Sequence, residues 1–146
     1  MQNITSAINH AHENGVIHRD LKPSNIMASK PNQFRVIDFG LGIFIENELH
    51  SRLTRIGSQT ISGYCNAPEL VANPKLIDRR SDIYSLGAIW YTLLCNQPPA
   101  GSNFMEILSA QRINQNVLNV IAKCLNPIET RYNNCSELLK DIENCC

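Results

Sequence analysis

At 146 residues the chain is long enough for one domain that buries about two-thirds of its unfolded surface. Hydrophobic residues make up 43% and charged residues 18%, a balance that excludes intrinsic disorder. Thirteen basic residues offset thirteen acidic ones, so no net field favours nucleic acid or an anionic membrane as a partner.

The opening Met1-Gln2-Asn3-Ile4-Thr5 has neither the basic start nor the apolar core of a signal peptide. The longest apolar stretch, Leu86 to Cys95, is too short to span a bilayer and reads as a buried helix. Together these predict an intracellular, cytoplasmic protein. Ile4, Ala7, Ile8 and Ala11 recur at helical spacing from residue 2 or 3, as if the chain opened partway through an element, and Asn14-Gly15 stops them. Val16-Ile17, Ile26-Met27-Ala28 and Phe34-Arg35-Val36-Ile37 are short strand-like runs between polar turns.

Residues 41–66 hold no strong period and are rich in Ser, Thr, Gly and Asn, which predicts a long loop. Ser81 and Asp82 are suited to cap a helix running to about Cys95, which Asn96-Gln97-Pro98-Pro99 breaks. Further helices are expected near 103–111, 115–125 and 134–143. No repeat and no linker marks a second domain. The fold class is mostly α (α+β), with a few short strands around residues 16–44 and the longest internal helix near 81–95.

The six cysteines form no C-x-x-C pair and no Cys/His ladder, so neither zinc nor a disulfide framework is expected. Cys95 and Cys124 read as small buried hydrophobes on apolar helical faces. Cys145-Cys146 has no C-a-a-X box and no polybasic flank, and is not read as a lipid anchor. His10, His12 and His50 are read as solvated or structural.

The string His18-Arg19-Asp20-Leu21-Lys22-Pro23-Ser24-Asn25 follows one strand-like run and precedes another, and Asp38-Phe39-Gly40 ends a third. Either piece alone would read as turn residues. The joint pattern resembles the catalytic loop and D-F-G of protein kinases, and Lys22-Pro23 resembles the Ser/Thr branch of the eukaryotic-like, Hanks-type family. Phosphoryl transfer asks the protein mainly to position groups and neutralise charge: a carboxylate at the incoming hydroxyl, a cation at the moving phosphoryl, and oxygen ligands for Mg²⁺.

The resemblance implies that Asp20 takes or orients the substrate hydroxyl's proton and that Lys22 contacts the γ-phosphate of ATP. Asn25 and Asp38 would hold Mg²⁺. Lys22, Asn25, Met27 and Asp38 would form the nucleotide-binding set, with Met27 and Phe39 on apolar surface facing the N-terminal lobe. His18 and Phe39 are expected to pack in the interior.

Ala67-Pro68-Glu69 resembles the end of a kinase activation segment, which would run from about 38 to 69 and include Gly40 and Ser62. Ser81-Asp82-Ile83-Tyr84-Ser85-Leu86-Gly87 resembles the start of the family's central helix. There Asp82 would hold backbone N–H groups of the catalytic loop. Ile121 to Pro127, followed by Arg131, resembles the closing helices, with Arg131 paired to Glu69. Arg19, just before Asp20, suits capture of a phosphate on Ser51, Thr54, Ser58 or Thr60.

The resemblance covers residues 2–143 and only the second half of a kinase domain, with the helical subdomain at about 81–143. The expectation is a C-terminal lobe without its N-terminal lobe, since no Gly-rich phosphate loop and no V-A-I-K-like strand lysine occurs. Three functions compete. The first is a Ser/Thr protein kinase acting on protein hydroxyls, present as a lobe inactive alone. The second is a non-catalytic module that docks a separate N-lobe or a regulatory protein, and the third is a small-molecule phosphotransferase.

Overall fold

The computed structural model describes residues 1–30, 33–39, 43–44 and 63–145; of residues 43–44 only the backbone is described. The chain is mostly α-helical with short antiparallel strands. Helix α1 (Gln2–Glu13) opens it. Ile4, Thr5, Ile8 and His12 form its buried stripe, an i, i+4, i+8 row that leaves Ala7 and Ala11 half-buried at its side. The helix ends because Gly15 adopts φ +73°, a left-handed conformation that costs a glycine nothing.

Strand β1 (Val16–Ile17) follows and pairs antiparallel with β4 (Ile43–Phe44) in the register Val16↔Phe44 and Ile17↔Ile43. A 3₁₀ turn, Pro23–Asn25, leads into β2 (Ile26–Lys30), which pairs with β3 (Gln33–Val36) around Ile26↔Val36 with an irregularity between Ala28 and Lys30. β3 lies on α1. The loop expected from residue 41 therefore contains a strand at 43–44, whose partner is distant in sequence; residues 45–62 lie outside the described part.

Pro68 starts α2 (Pro68–Ala72), a short helix that the sequence reading did not foresee. Proline fits a first turn, where its missing N–H would have no partner. The central helix α3 (Arg80–Cys95) is buried on nearly every side, through Ile83, Leu86, Ala88, Ile89 and Tyr91. Neither Ser81 nor Asp82 caps it. Arg80 N donates instead to Asp78 Oδ1 at 2.8 Å. Asp82 is unavailable because its carboxylate is committed elsewhere.

Helix α4 (Phe104–Ser109) sits against Tyr91, whose hydroxyl donates to Phe104 O at 3.0 Å. Asn114 caps α5 (Gln115–Leu125) by accepting from Asn116 N at 2.8 Å. Asn134 caps α6 (Cys135–Glu143) by accepting from Glu137 N at 2.9 Å. α6 packs on α1 and α5, closing the core. Cys124 is buried, and burial pushes its thiol up to about 12; Cys95 is half-buried, being on the last turn of α3. Phe39 corrects another expectation. It leans on His18 with ring centroids 4.5 Å apart yet remains 40% exposed, because no described element covers its other side.

No helix among the described residues is long and apolar enough to cross a membrane. Helices α3 and α5 pack closely at Gly87. A Cβ placed on Gly87 would lie 2.4 Å from Cys124 Cβ, a position that requires the helices to part. Gly87→Ala should therefore destabilise by about 1–3 kcal/mol despite alanine's better helix propensity. The expected thermal midpoint falls by several degrees, and adding Cys124→Ala, which retains the Cβ, does not restore it. An unchanged midpoint in Gly87→Ala would show that α5 can yield.

Candidate active site

The turn after β1 is organised by one carboxylate. Asp82, with 0% exposure, accepts from His18 N through Oδ2 and from Arg19 N through Oδ1, both at 2.8 Å. Successive N–H groups converge on one anion where the backbone leaves the extended form, as in a turn. Within this turn Arg19 takes the left-handed conformation, with φ +66°. Its guanidinium donates to Pro74 O, while its Nε is a buried donor with no partner among the described residues. Burial lowers the pKa of this guanidinium and the Asp82 charge partly restores it.

His18 is fully buried and links this turn to the end of β3. Its Nε2 lies 3.1 Å from the Ile37 carbonyl, which can only accept, so Nε2 carries the hydrogen. Nδ1 is then free to accept from Asp20 N at 3.3 Å. The ring thus orients the backbone of Asp20 on one side and the residue before Asp38 on the other.

Asp20, Lys22 and Asn25 come together directly. Lys22 Nζ donates to Asp20 Oδ2 at 2.7 Å. Asn25, buried by the 3₁₀ turn, donates through Nδ2 to Asp20 O at 2.8 Å and more weakly to Asp20 Oδ2 at 3.4 Å. That leaves Asn25 Oδ1 as its acceptor. Ile37 N donates to Asn25 O at 2.9 Å, so Asp38 leaves the sheet beside Asn25, turning with φ +60°.

Lys22 has a raised pKa, first through its bond to Asp20; burial opposes this, and the charges of Asp20 and then Asp38 add to the rise. Asp38 therefore lies on the same side as Asp20. Met27 is 53% exposed next to this cluster in sequence. Gly40 and Ser62 lie outside the described residues.

Two neighbours were not foreseen. Cys65 is buried, and burial pushes its thiol up to about 11; a hydrogen bond with Tyr64 pulls it back, Asp20 raises it and Lys22 lowers it. The end of the loop region thus returns to Asp20. His12 Nε2 lies 2.8 Å from Asp82 Oδ2. The signal for His12 was present in the sequence, since a histidine in line with Ile4 and Ile8 on one helix face must be buried and needs a partner.

A second tie fixes the far end of the site. Arg131 Nη1 and Nη2 meet Glu69 Oε1 and Oε2 at 2.6 and 3.2 Å. Nη1 also donates to Arg80 O, and Nε and Nη2 both donate to Asn126 O. The five N–H groups of a guanidinium are thereby all used. Tyr84 lies beneath it, with the ring centroid 5.1 Å from Cζ.

Lysine cannot reproduce this fork. Arg131→Lys should cost about 2 kcal/mol and Arg131→Ala about 3–5 kcal/mol, because Glu69 and two carbonyls lose their partner. Urea unfolding would read both. A lysine variant within 0.5 kcal/mol of wild type, a margin of about the usual surface effect, would show that charge alone suffices.

Comparison with known proteins agrees with this geometry. A model of the protein kinase domain matches residues 1–146. The chain is 32% identical over 154 aligned residues to serine/threonine-protein kinase PknB of Mycobacterium tuberculosis, covering 93% of this chain and 24% of that protein. It is 36% identical over 111 residues to protein kinase kin1 of Schizosaccharomyces pombe, covering 76% of this chain and 12% of kin1. A probable serine/threonine-protein kinase PknB of Bifidobacterium longum is 32% identical over 117 residues, with 79% of this chain covered. The chain spans about a quarter, or less, of the length of these relatives. By its sequence along the full 146 residues, the chain belongs to the protein kinase domain family.

Proposed function

We propose that these residues form the C-terminal lobe of a protein Ser/Thr kinase and carry its phosphoryl-acceptor side. The observation that carries the reading is the cluster of Asp20, Lys22 and Asn25, joined by bonds of 2.7 and 2.8 Å, with Asp38 held one residue beyond the Asn25–Ile37 bond. In this reading Asp20 accepts or orients the proton of a protein Ser or Thr hydroxyl as that oxygen attacks phosphorus. Lys22, kept cationic by its carboxylate neighbours, faces the charge of the transferred phosphoryl group.

ATP and Mg²⁺ fit the donor set. The Asp38 carboxylate and the Asn25 Oδ1 are hard oxygen donors of the kind Mg²⁺ takes, and bound Mg²⁺ would neutralise phosphate charge. Among the described residues no cluster of three or more His, Cys, Asp or Glu forms a metal site by itself. Phosphate oxygens would complete the coordination.

Regulation by phosphorylation accords with Arg19. The buried Nε–H of its half-buried guanidinium has no partner among the described residues, and an anion would satisfy it. The acceptors proposed are Ser51, Thr54, Ser58 and Thr60, which lie outside the described residues. With a matching N-lobe supplied, changing these four to Ala should slow phosphoryl transfer relative to wild type. Equal rates for the wild-type, Ala and Glu series would remove the idea.

A second reading, a partner-docking module, is favoured by exposed apolar side chains close to the cluster in the chain: Met27, Ile37 and Phe39, each at least 37% exposed. The two readings share one expectation. These residues include no Gly-rich loop and no strand lysine for the α- and β-phosphates. The 146-residue chain should therefore bind Mg-ATP weakly by calorimetry and show no useful transfer to a generic Ser/Thr substrate alone. With an N-lobe supplied, the kinase reading expects turnover that Asp20→Asn reduces by about 10²-fold or more. Robust turnover by the isolated chain, abolished by Asp20→Asn, would overturn the expectation of inactivity and strengthen the kinase reading.

A further inference from the structure

His12 stands at the end of the buried stripe of α1 with only 4% exposure. Its Nε2 is 2.8 Å from Asp82 Oδ2, the oxygen that also accepts from His18 N. Its Nδ1 is 3.6 Å from Cys135 Sγ, a thiol with 0% exposure on the first turn of α6. Residues of α1, α3 and α6 therefore meet at one ring, and the turn after β1 joins them through Asp82 Oδ2.

The chemistry of the groups decides who donates. Asp82 already receives two backbone N–H groups and acts as an acceptor, so His12 Nε2 must carry a hydrogen. In a neutral imidazole Nδ1 is then a lone pair, and the S–H of Cys135 is the donor facing it. Burial first, and then the Asp82 charge, hold that thiol well above its usual range, so it remains an S–H group at neutral pH. With the other tautomer, the Nε2 lone pair would face the Oδ2 lone pairs at 2.8 Å, too close for a water between them.

We propose that Cys135 and His12 are positioning residues for the turn carrying Asp20. The Cys135 thiol holds His12 in its Nε2–H form. His12 then donates to Asp82 and keeps both carboxylate oxygens aimed at the N–H groups of His18 and Arg19. The inference rests on the kinase reading only in calling that turn catalytic; the relay itself can be tested without phosphoryl transfer. Through it, α6 is coupled to the turn that carries Asp20 by the chain of contacts Cys135–His12–Asp82.

The test uses the 146-residue chain as wild type, Cys135→Ser and Cys135→Ala. Histidine ring ¹⁵N spectra report which nitrogen is protonated, and backbone amide exchange reports the order of the turn. In wild type and Cys135→Ser, which keeps a donor, His12 should show a protonated Nε2 and a bare Nδ1. Cys135→Ala should give a mixture of tautomers and raise exchange at His18 and Arg19 about tenfold, with α3 amides from Ile83 to Ile89 nearly unchanged. A packing role alone would move neither the ring signals nor the two amides selectively.

A wild-type ring protonated at Nδ1, whether as the other tautomer or as imidazolium, overturns the proposal. So does equal exchange at His18 and Arg19 in the Ser and Ala variants. Should Cys135→Ala fail to fold, the wild-type ring spectrum still decides. Failure of the kinase reading would appear instead as turnover indifferent to Asp20→Asn, with these spectra untouched.

Discussion

The Asp82 carboxylate holds two consecutive backbone N–H groups, and the rest of the site depends on that contact. Extended chain points successive N–H groups in opposite directions, so both reach one anion only where the backbone leaves the extended form, as it does in this turn. Within the turn Arg19 adopts the left-handed form, at φ +66°, which redirects the chain that follows. For a residue with a Cβ this conformation costs on the order of 1 kcal/mol. Charge-assisted bonds to a buried carboxylate contribute about 1.5–3 kcal/mol each, enough to hold it. The reversal throws the Arg19 side chain toward Pro74 and leaves Asp20 on the open side with Lys22 and Asn25. A local strain in the backbone is thus maintained by a charge 63 residues away in sequence.

The first turn of α3 serves as the anchor for both ends of the loop region. Asp82 secures the turn before the loop, while Arg80 O and Ser81 Oγ reach the Arg131–Glu69 pair that secures its end. Arg80 itself bonds Asp78 and Ile128 O. Behind this turn, α3 is buried and pressed against α5 at Gly87. The anchor therefore cannot shift without opening the core. Buried ion pairs add little net stability, because desolvation offsets their attraction. Here the fork of Arg131 contributes geometry: it fixes Ala67-Pro68-Glu69 and Asn126 relative to α3, whatever its net energy.

Much of the fold was legible because its elements carry strong local signals. The stripe of Ile4 and Ile8, the break at Asn14-Gly15, the apolar run of α3 and the helices of 115–125 and 135–143 all follow from period and punctuation. What escaped were the decisions made by distant partners. Asp82 looked like a helix cap, since Asp near a helix start usually is; only the turn at His18 and Arg19, far away in the chain, claims it. The strand at 43–44 exists because β1 pairs with it, and no pattern of two residues can announce that. The short helix after Ala67 follows from Pro68 but was hidden inside a family motif read only as sequence. In the site, the bonded group Asp20, Lys22 and Asn25 lies within six residues and could be read from one string. Cys65, His12 and Cys135 reach the same region through the tertiary fold, and a list of residue types gives no reason to join them.

The charges divide into two classes by their access to water. Asp82 and Arg131 have side chains at 0% and 1% exposure, where each bond is strong and each missing partner is costly. Of the groups proposed to react, Lys22 has a side chain 44% exposed and Asp38 is exposed on its turn, while Asp20, at 17%, and the buried Asn25 sit between the two classes. At surface dielectric a charge pair at bonding distance interacts with only a few kcal/mol, and water screens it further. The described structure therefore prepares positions rather than electrostatic strength. Its backbone and scaffold charges are already in their final, dry arrangement, whereas the cluster facing outward gains strength only when something excludes water from it. The exposed apolar side chains of Met27, Ile37 and Phe39 give that covering surface a place to rest. Burying such side chains contributes about 25 cal/mol for each Å² removed from water, so the act that closes the site also favours its closure. Specificity of position and strength of interaction are in this way assigned to different parts of the same domain.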